Sequence, residues 1–403
     1  MSGGLRLDRV ALVVVVALLG GPLAAGCSTS AHLVAALAKP TPSAVVAPTP
    51  LPAVSPPPDS WSLDQDLGSI MVLSTRGTQI SPLMRSLLTD GRVGGVLLFG
   101  SNFGGNPAGL QVWSDQLQAI ASSACLDHPI LLMTDEEGGG VAQVQASFAQ
   151  PSQLVAGAGG ADHVRAVERA AAIGLREAGL SLDLAPVADV RTNAGDKVIG
   201  DRSFGSSTSY VAPLVAAAVQ GLHDGGVGAT LKHFPGLGGA PGDPHIAIPT
   251  DRESEAQWEQ IQMPAFQAGI AAGADAVMTT AVYVPGLGGG GMPALLSAPI
   301  VSRLRTQLGF GGVIMTDSLS MGGIGARWTL PEAAVLAVGA GNDMILLGNG
   351  DPSYEADAIA AVRAAVYAGR LDRAAIHASA VRVNALRDKY GRHYIHCRPP
   401  LSA

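Results

Sequence analysis

The feature of this sequence that most constrains its fold is a series of short, continuously apolar runs separated by helical patterns. The runs do not alternate polar with apolar residues, so strands formed by them would be buried on both faces. They lie at 93–99, 129–134, 182–187, 227–231, 274–278, 312–316 and 343–347. The intervening segments predict helices over about 82–88, 164–177, 211–223, 255–271, 299–308 and 331–340. Buried strands spaced by helices predict a parallel sheet that is covered by helices on both faces.

The number of these units selects among the parallel-sheet folds. Seven or more strand–helix units over roughly 330 residues favour a TIM-type α/β barrel over an open doubly wound sheet. No G-x-G-x-x-G sequence opens a helix after a strand, so nothing indicates a dinucleotide site. We therefore predict a (β/α)8-like barrel, formed by a single catalytic domain over 61–393 and followed by a tail over 394–403.

The first sixty residues carry export and tethering signals instead of a folding pattern. Two arginines, Arg6 and Arg9, precede an uncharged apolar run and a stretch of small residues, as in a secretory signal. The ending Leu-Ala-Ala-Gly-Cys27 resembles a bacterial lipobox, which predicts a lipoprotein signal over 1–27 with Cys27 as the acylated residue. Residues 28–60 are rich in Pro, Ala, Ser and Thr and predict an extended tether. We expect an exported protein, lipid-anchored to the outer face of the cell membrane.

Composition narrows the choice of partners. The formal net charge is −7 and no run of Lys or Arg is present, which argues against a nucleic-acid binder. Three cysteines do not make a disulfide framework. In an exported protein Cys125 and Cys397 could pair, but their spacing does not decide this.

One loop concentrates ionisable groups in a chain of which only 14% is charged. It begins with Lys232 and His233, ends with Asp243 and His245, and is interrupted by several glycines and prolines. Gly and Pro at this density exclude helix or strand beyond Phe234. Ionisable residues on an irregular loop, carried by a rigid scaffold, are typical of a functional site.

Polar residues also follow the apolar runs, each at the point where the predicted strand ends. They are Asn102, Asp135, Asp189, the pair Lys232–His233, and Asp317. Any one of them could instead cap the next helix. Since all five would lie at the C-terminal ends of barrel strands, where TIM-barrel active sites are built, we predict an active site there.

The residue types at this face indicate glycoside hydrolysis. Asp317 ends a strand among apolar neighbours, where its carboxylate could meet a substrate carbon. Asp243 precedes His245 by two residues, so an extended segment would point both side chains the same way. Asp243 could then orient the imidazole for proton transfer. A carboxylate nucleophile and a separate acid/base are the equipment of a retaining glycosidase.

Several sequence blocks resemble bacterial family 3 glycoside hydrolases, in the β-N-acetylhexosaminidase branch. The blocks run in order from about residue 60 to 390. They are Gly94–Phe99, Asp135–Gly139, Ala185–Asp189, Gly200–Phe204, Lys232–Gly236 with Asp243-x-His245, Thr316–Met321 and Ala340–Met344. The resemblance implies a barrel that removes terminal β-linked N-acetylglucosamine, as in peptidoglycan fragments or other glycans.

The resemblance also implies roles for particular residues. Asp317 would be the nucleophile, and His245, assisted by Asp243, the acid/base. The residues implied to contact the substrate are Asp135, Arg202, Lys232 and His233. The expected function is that of an exo-acting, retaining β-N-acetylglucosaminidase that binds a carbohydrate as its partner. No cofactor is implied, and we expect a monomer.

The sequence departs from the family pattern at five positions. Gly140 and Gln143 stand where arginines are usual, Leu237 and Ala281 where histidines are usual, and Pro244 where a small flexible residue is common. Affinity and substrate preference are the properties that these changes would affect.

Three other functions remain open at this point. A neutral histidine repels phosphate less than a carboxylate does, so the enzyme could be a β-N-acetylglucosaminide phosphorylase. A catalytically degraded barrel could serve as a sugar-binding lipoprotein. A metal site at His233, Asp243 and His245 would use acceptable ligands, but no known ligand spacing is present, so no metal is expected.

Overall fold

The computed structural model describes residues 62–124, 126–144, 150–348 and 350–392. Its strands are β1 Met71–Ser74, β2 Gly95–Leu97, β3 Leu131–Thr134, β4 Glu136–Gly138, β5 Val141–Ala142, β6 Leu182–Asp183, β7 Gly228–Phe234, β8 Ala276–Thr279, β9 Val313–Thr316 and β10 Ile345–Leu346. The α-helices are α1 Leu63–Ser69, α2 Pro82–Thr89, α3 Gly100–Phe103, α4 Pro107–Ser123, α5 Gln153–Gly157, α6 Ala161–Glu177, α7 Thr208–Gly225, α8 Glu255–Ile261, α9 Met263–Ala271, α10 Ala298–Thr306, α11 Gly322–Gly325, α12 Leu330–Gly339, α13 Pro352–Tyr367 and α14 Arg373–Tyr390. Short 3-10 helices lie at Gly200–Arg202 and Ala294–Leu296.

Eight of the strands form one parallel sheet in the order β10-β1-β2-β3-β6-β7-β8-β9. A parallel bridge between Met315 and Met344 joins the two ends of this order, so the sheet closes on itself. The β4–β5 hairpin lies outside the barrel sheet, after β3. Helices follow each barrel strand, which confirms the predicted TIM-type barrel.

The barrel strands are buried along their whole length, as their lack of polar alternation predicts. Strand β1 is absent from the predicted set. Its apolar residues continue directly from α1, and so short a run has no period that separates strand from helix. The predicted strand at 227–231 is longer than expected, because β7 continues to Phe234.

The segment predicted as one helix over 255–271 is two helices, α8 and α9, which meet at Gln262. Pro264 lies in the first turn of the second helix, and a proline has no N–H to donate to the turn before it. The side chain of Gln262 is buried and bonds both the N–H and the C=O of Val190, at 3.0 and 3.1 Å. The junction therefore holds the loop that follows β6.

Several predictions fall on residues outside the described ranges. These are the signal over 1–27 with Cys27, the tether over 28–60, Cys125, Cys397 and the tail over 394–403. Within the described ranges, no helix combines the length and apolar character needed to cross a membrane.

Candidate active site

The predicted site residues come together at the C-terminal ends of the barrel strands. Asp135 directly follows β3, Asp317 directly follows β9, and Asp189 lies in the loop after β6. The sequence predicted that Lys232 and His233 follow the strand. They lie inside β7 instead, because this strand extends to Phe234. Parallel strands bring these positions to one face of the barrel.

Four charged side chains form a compact cluster at this face. Lys232 Nζ lies 2.6 Å from Asp135 Oδ1 and 2.5 Å from Glu137 Oε1. Arg202 donates two hydrogen bonds to the Glu137 carboxylate, from Nε at 2.6 Å and from Nη2 at 2.8 Å. Glu137 and Lys232 are buried, whereas about a quarter of the Asp135 side chain is exposed. Asp135 therefore offers carboxylate surface to a ligand, and Glu137 joins the two cations behind it.

Glu137 is held ionised by its neighbours. Burial raises the pKa of its carboxyl, but the charges of Lys232 and Arg202 outweigh burial and lower the pKa to about 2. Burial likewise lowers the pKa of Lys232, and Asp135 and Glu137 outweigh it, so that pKa lies above its ordinary value. Glu137 lies in the Asp135–Gly139 block, but the sequence pattern indicated no role for it. Its position two residues after Asp135 was the available signal.

His233 is fixed in orientation by Asp189. The carboxylate of Asp189 lies 2.7 Å from His233 Nδ1 and accepts the backbone N–H of His233 at 3.2 Å and that of Leu237 at 2.7 Å. The other ring nitrogen, Nε2, lies 3.4 Å from Arg202 Nη2. Because an arginine can only donate, a hydrogen bond from Arg202 uses Nε2 as the acceptor and leaves Nδ1 as the donor to Asp189. Asp189, which the sequence marked only as a strand-end residue, is thus a positioning residue.

The Asp317 carboxylate is half-buried and aimed by two donors. Thr280 Oγ1 donates to Oδ2 at 2.8 Å, and the N–H of Ser318 donates to Oδ1 at 2.7 Å. The N–H of Asp317 donates to Thr279 O at 2.7 Å and ties the residue to the end of β8. Thr280 had no predicted role. Thr280 follows the end of β8 and precedes Ala281, the position at which the family usually has a histidine.

The Asp243–His245 contact is present, but a turn forms it and not the extended segment that the sequence suggested. Asp243 O accepts the N–H groups of Ile246 and Ala247, both at 3.0 Å. Asp243 Oδ1 lies 2.8 Å from His245 Nδ1 and accepts the His245 N–H at 2.9 Å. Burial raises the pKa of Asp243, but the hydrogen bonds from His245 outweigh it and leave the pKa below its ordinary value.

Backbone contacts dock this turn beside the end of β9. Gly322 N donates to His245 O and Gly323 N donates to Pro244 O, both at 3.1 Å. A Cβ on Gly322 would lie 2.3 Å from His245 O, so a side chain there would displace the turn. Pro244 itself is buried and forms part of this contact. The turn is therefore bonded to α11, which begins five residues after Asp317, while 67% of the His245 side chain remains exposed.

A cavity of about 690 Å³ opens beside the turn. Residues from two loops line it, over 193–202 and 241–245, and they include Arg202, Asp243 and His245. Asp317, Asp135 and Lys232 do not line it. The cavity wall therefore includes His245 and Arg202 but not Asp317.

Three further carboxyl groups are buried beneath the cluster. They belong to Glu136, Asp183 and Glu168. Burial raises the pKa of Glu168 to about 8 and that of Glu136 to about 6, and it places the pKa of Asp183 well above its ordinary value. Asp183 Oδ1 accepts the N–H of Glu136 at 3.0 Å, so these acids brace the start of the β4–β5 hairpin.

The positions that depart from the family pattern have varied surroundings. Gly140 is exposed, and nothing lies within 4 Å of the place its Cβ would occupy. Gln143 Oε1 accepts the N–H of Gly100 at 2.7 Å and ties the hairpin to the loop after β2. The side chains of Leu237 and Ala281 are buried in the core.

Asn102 differs from the other strand-end residues. It is buried, its Nδ2 donates to Thr75 O at 2.9 Å and to Gly77 O at 2.7 Å, and its Oδ1 accepts the N–H of Phe99 at 2.8 Å. All its polar groups hold loops together, so its role is structural. Among the described residues no group of three or more His, Cys, Asp or Glu is arranged to hold a metal ion.

Comparisons with known proteins identify the family. Residues 62–386 match the model described as the glycosyl hydrolase family 3 N terminal domain. The beta-hexosaminidase of Methylobacillus flagellatus is 34% identical over 70% of this chain and 81% of its own length. That of Stenotrophomonas maltophilia is 34% identical over 69% of this chain and 83% of its own length.

Solved structures agree with these relatives. A family 3 beta-N-acetylglucosaminidase from a Paenibacillus species matches with a TM-score of 0.79 and 34% identity, covering 85% of this chain and 66% of that chain. A beta-N-acetylhexosaminidase from Beutenbergia cavernae matches with a TM-score of 0.75 and 33% identity, covering 81% of this chain and 99% of that chain. These findings confirm the resemblance and the prediction of a glycoside hydrolase. The chain belongs to glycosyl hydrolase family 3.

Proposed function

We propose that this protein is an exo-acting, retaining β-N-acetylglucosaminidase that hydrolyses terminal β-linked N-acetylglucosamine. The observation that carries the proposal is the pairing of Asp317 with a docked Asp243–His245 turn at one face of the barrel. The carboxylate is aimed by Thr280 and Ser318, and the turn is bonded to the segment that follows Asp317. The proteins named above as a beta-N-acetylglucosaminidase and beta-hexosaminidases support the sugar specificity.

In the proposed mechanism Asp317 attacks the anomeric carbon and His245 gives a proton to the departing oxygen. The carboxylate and the carbon form a covalent glycosyl-enzyme, and the leaving group takes the proton from His245. Water then attacks the same carbon, His245 accepts a proton from that water, and Asp317 is released. Two displacements at one carbon retain the β configuration. Asp243, whose pKa lies below its ordinary value, stays ionised and holds the imidazole at Nδ1 through both steps.

The charged cluster is proposed to hold the hydroxyl groups of the terminal sugar. Asp135 presents a partly exposed carboxylate, and Lys232 and Arg202 stand behind it with His233. Hydrogen bonds to ionised groups in a buried site are stronger than those between neutral groups. Because Asp189 and Glu137 fix the ring and the two cations, binding would require little rearrangement of the protein.

The proposed cellular setting is the outer face of the cell membrane. Acylation at Cys27 after removal of the signal would leave the barrel on the tether over 28–60, where it would meet peptidoglycan fragments. The sequence pattern alone supports this anchor. Incorporation of radiolabelled palmitate that is lost in Cys27→Ala would support it, whereas unchanged incorporation would refute it.

The activity is tested by hydrolysis of 4-nitrophenyl N-acetyl-β-D-glucosaminide with protein that lacks residues 1–60. We expect release by the unmutated barrel, none by Asp317→Ala, and a sharp reduction in His245→Ala. No release, combined with a melting temperature that N-acetylglucosamine still raises, would instead indicate a sugar-binding protein that has lost catalysis.

Phosphorolysis is the second candidate, and one observation favours it. The acid/base candidate is a histidine with 67% of its side chain exposed, so an incoming phosphate would meet an imidazole at this position instead of a carboxylate acid/base. Turnover is compared in phosphate and in a non-nucleophilic buffer. Formation of N-acetylglucosamine 1-phosphate would establish phosphorolysis, and free N-acetylglucosamine in both buffers would exclude it.

A further inference from the structure

Asp317 differs from the two carboxylates of the charged cluster, because no cation lies beside it. Both carboxylates of that cluster contact Lys232. Within the described ranges, the Asp317 carboxylate accepts hydrogen bonds only from the Thr280 hydroxyl and the Ser318 N–H, and no lysine, arginine or histidine there forms an ion pair with it. In this part of the chain, neutral donors alone therefore stabilise its negative charge.

The Thr280 hydroxyl is a rigidly held donor. The residue is fully buried, its N–H donates to Phe234 O at 3.0 Å, and its carbonyl oxygen accepts two backbone N–H groups at 3.1 Å. The Ser318 N–H, in contrast, belongs to the peptide bond that follows Asp317 and cannot hold that residue from outside. Thr280 is thus the donor that fixes the carboxylate from a different strand end.

The charge of Asp317 changes in opposite directions in the two displacements of the proposed mechanism. In the first, the carboxylate gives an electron pair to the anomeric carbon and loses its charge. In the second, water attacks that carbon, the electron pair of the broken bond returns to Asp317, and His245 takes a proton from the water. A hydrogen bond that stabilises the charged carboxylate therefore opposes the first displacement and favours the second.

We propose that Thr280 is a positioning residue for the second displacement, in which its hydroxyl stabilises the Asp317 carboxylate as the sugar leaves it. The inference rests on the proposed glycosidase function and adds the step at which Thr280 acts. Because the two carboxylate oxygens share the charge, a donor on Oδ2 has this effect whichever oxygen had held the sugar. A hydrogen bond to an ionised group is strong enough that its loss should slow the second displacement roughly tenfold.

The test is rapid-mixing kinetics of Thr280→Val with 2,4-dinitrophenyl N-acetyl-β-D-glucosaminide. Its phenolate departs readily, so the second displacement limits turnover. We expect a burst of about one phenolate per active site, followed by turnover in which kcat and KM are both lowered about tenfold. The ratio kcat/KM, which reports the first displacement, should not fall. A fall in kcat/KM with KM unchanged would overturn the proposal, because it would place the defect in the first displacement.

Three variants and one added nucleophile separate the hydroxyl from general damage to the site. Thr280→Ser keeps the hydroxyl and should recover most of kcat, whereas Thr280→Ala lacks it without crowding the site and should reproduce the valine variant. Thr306→Val removes an exposed hydroxyl that bonds Ser302 O on α10, and it should behave as the wild type. Methanol competes with water for the intermediate, so it should raise kcat in Thr280→Val and yield the methyl glycoside.

The same measurements distinguish failure of this inference from failure of the function on which it rests. If the wild type releases no phenolate, the hydrolase proposal fails and the role of Thr280 fails with it. If the wild type turns over and Thr280→Val matches it in burst, kcat and KM, only the inference fails. Low kcat in Thr280→Ser as well as in Thr280→Val would also overturn the inference, since the hydroxyl would then not be the group that matters.

Discussion

The two halves of the candidate site are built in opposite ways. Lys232 and Glu137, which support the sugar contacts, are 1% and 0% exposed and are fixed by multiple ion pairs. Asp243 and His245, which would move the proton, are 34% and 67% exposed and depend on one side-chain contact and a docked turn. On the proposed mechanism, the groups that would bind the sugar are preorganised in the barrel, whereas proton transfer would depend on a surface turn held in place by its backbone.

The largest effect should come from His245→Ala, which removes the proton donor from the exposed half. We expect kcat to fall by about 10² to 10⁴-fold, the usual contribution of a general acid/base. The melting temperature should hardly change, because the side chain is mostly exposed. Kinetics with 4-nitrophenyl N-acetyl-β-D-glucosaminide and a thermal melt of the same sample check both expectations. A loss of stability as large as the loss of rate would contradict the comparison.

Whereas His245→Ala should hardly change the free energy of unfolding, Glu137→Gln should lower it strongly. It leaves Lys232 and Arg202 without their shared counter-ion in a buried place, which costs about 3 to 5 kcal/mol of unfolding free energy. Chemical denaturation at pH 7 measures the loss. Glu255→Gln is the matched control, since Glu255 pairs with Arg303 while half-exposed, and its loss should stay below about 1 kcal/mol.

The same variant has a defined pH dependence. The pKa of Glu137 falls to about 2 in the folded protein, so the carboxylate contributes stability that is present above its ordinary pKa of 4.5. That contribution is lost as pH falls from 4.5 toward 2. The difference in unfolding free energy between wild type and Glu137→Gln should therefore decrease as the pH falls from 4.5 to 2. A difference that stays constant would mean that Glu137 acts through packing instead of charge.

Glu168→Gln tests the buried acids beneath the cluster. Its effect on the pH dependence of the unfolding free energy should have the opposite sign to that of Glu137→Gln. Glu168 has a pKa of about 8 in the folded protein, so the folded state keeps a proton that the unfolded chain loses above pH 4.5. Stability should decline between pH 4.5 and 8, and glutamine, which cannot ionise, should remove that decline. At pH 9 the variant should gain on the order of 5 kcal/mol over the wild type, relative to pH 4, because a pKa shift from 4.5 to about 8 corresponds to that much free energy. Denaturation at both pH values measures this, and identical pH profiles would contradict it.

Gly322→Ala should have the smallest effect and acts on the turn alone. The added Cβ would lie 2.3 Å from His245 O, so the turn must shift away from α11. A misplacement of this size should lower kcat by roughly tenfold, with little change in KM. Gly325→Ala is the matched control on the same helix, since nothing lies within 4 Å of its added Cβ. Equal rates in the two variants would show that docking of the turn does not matter.

The sequence predicted the barrel and the face that carries the site because both depend on repeated patterns. Buried strands lack polar alternation, and polar residues mark their ends. The contacts within the site depended instead on pairs that are distant in sequence, such as Glu137 with Arg202 and Asp189 with His233. No local pattern predicts such pairs, so Glu137 and Thr280 had no predicted role, and Asp189 was predicted only as a residue at a strand end.

Local rules also failed where tertiary contacts override them. Asp243 and His245 were expected to share one side of an extended segment. The chain forms a turn there because Pro244 is buried and the backbone N–H groups of Gly322 and Gly323 donate to the carbonyl oxygens of the turn. The same Asp–His contact results, but through a different backbone, and the docking partner could not be read from the loop sequence.

The most direct test of the account is to trap the covalent intermediate. The protein is incubated with a 5-fluoro analogue of N-acetylglucosaminyl fluoride, digested and examined by mass spectrometry. The account predicts one added sugar on the peptide that contains Asp317, absent in Asp317→Ala and retained in Glu255→Gln. A sugar attached to another residue, or none attached while the wild type still hydrolyses 4-nitrophenyl N-acetyl-β-D-glucosaminide, would contradict the assignment of Asp317 as the nucleophile.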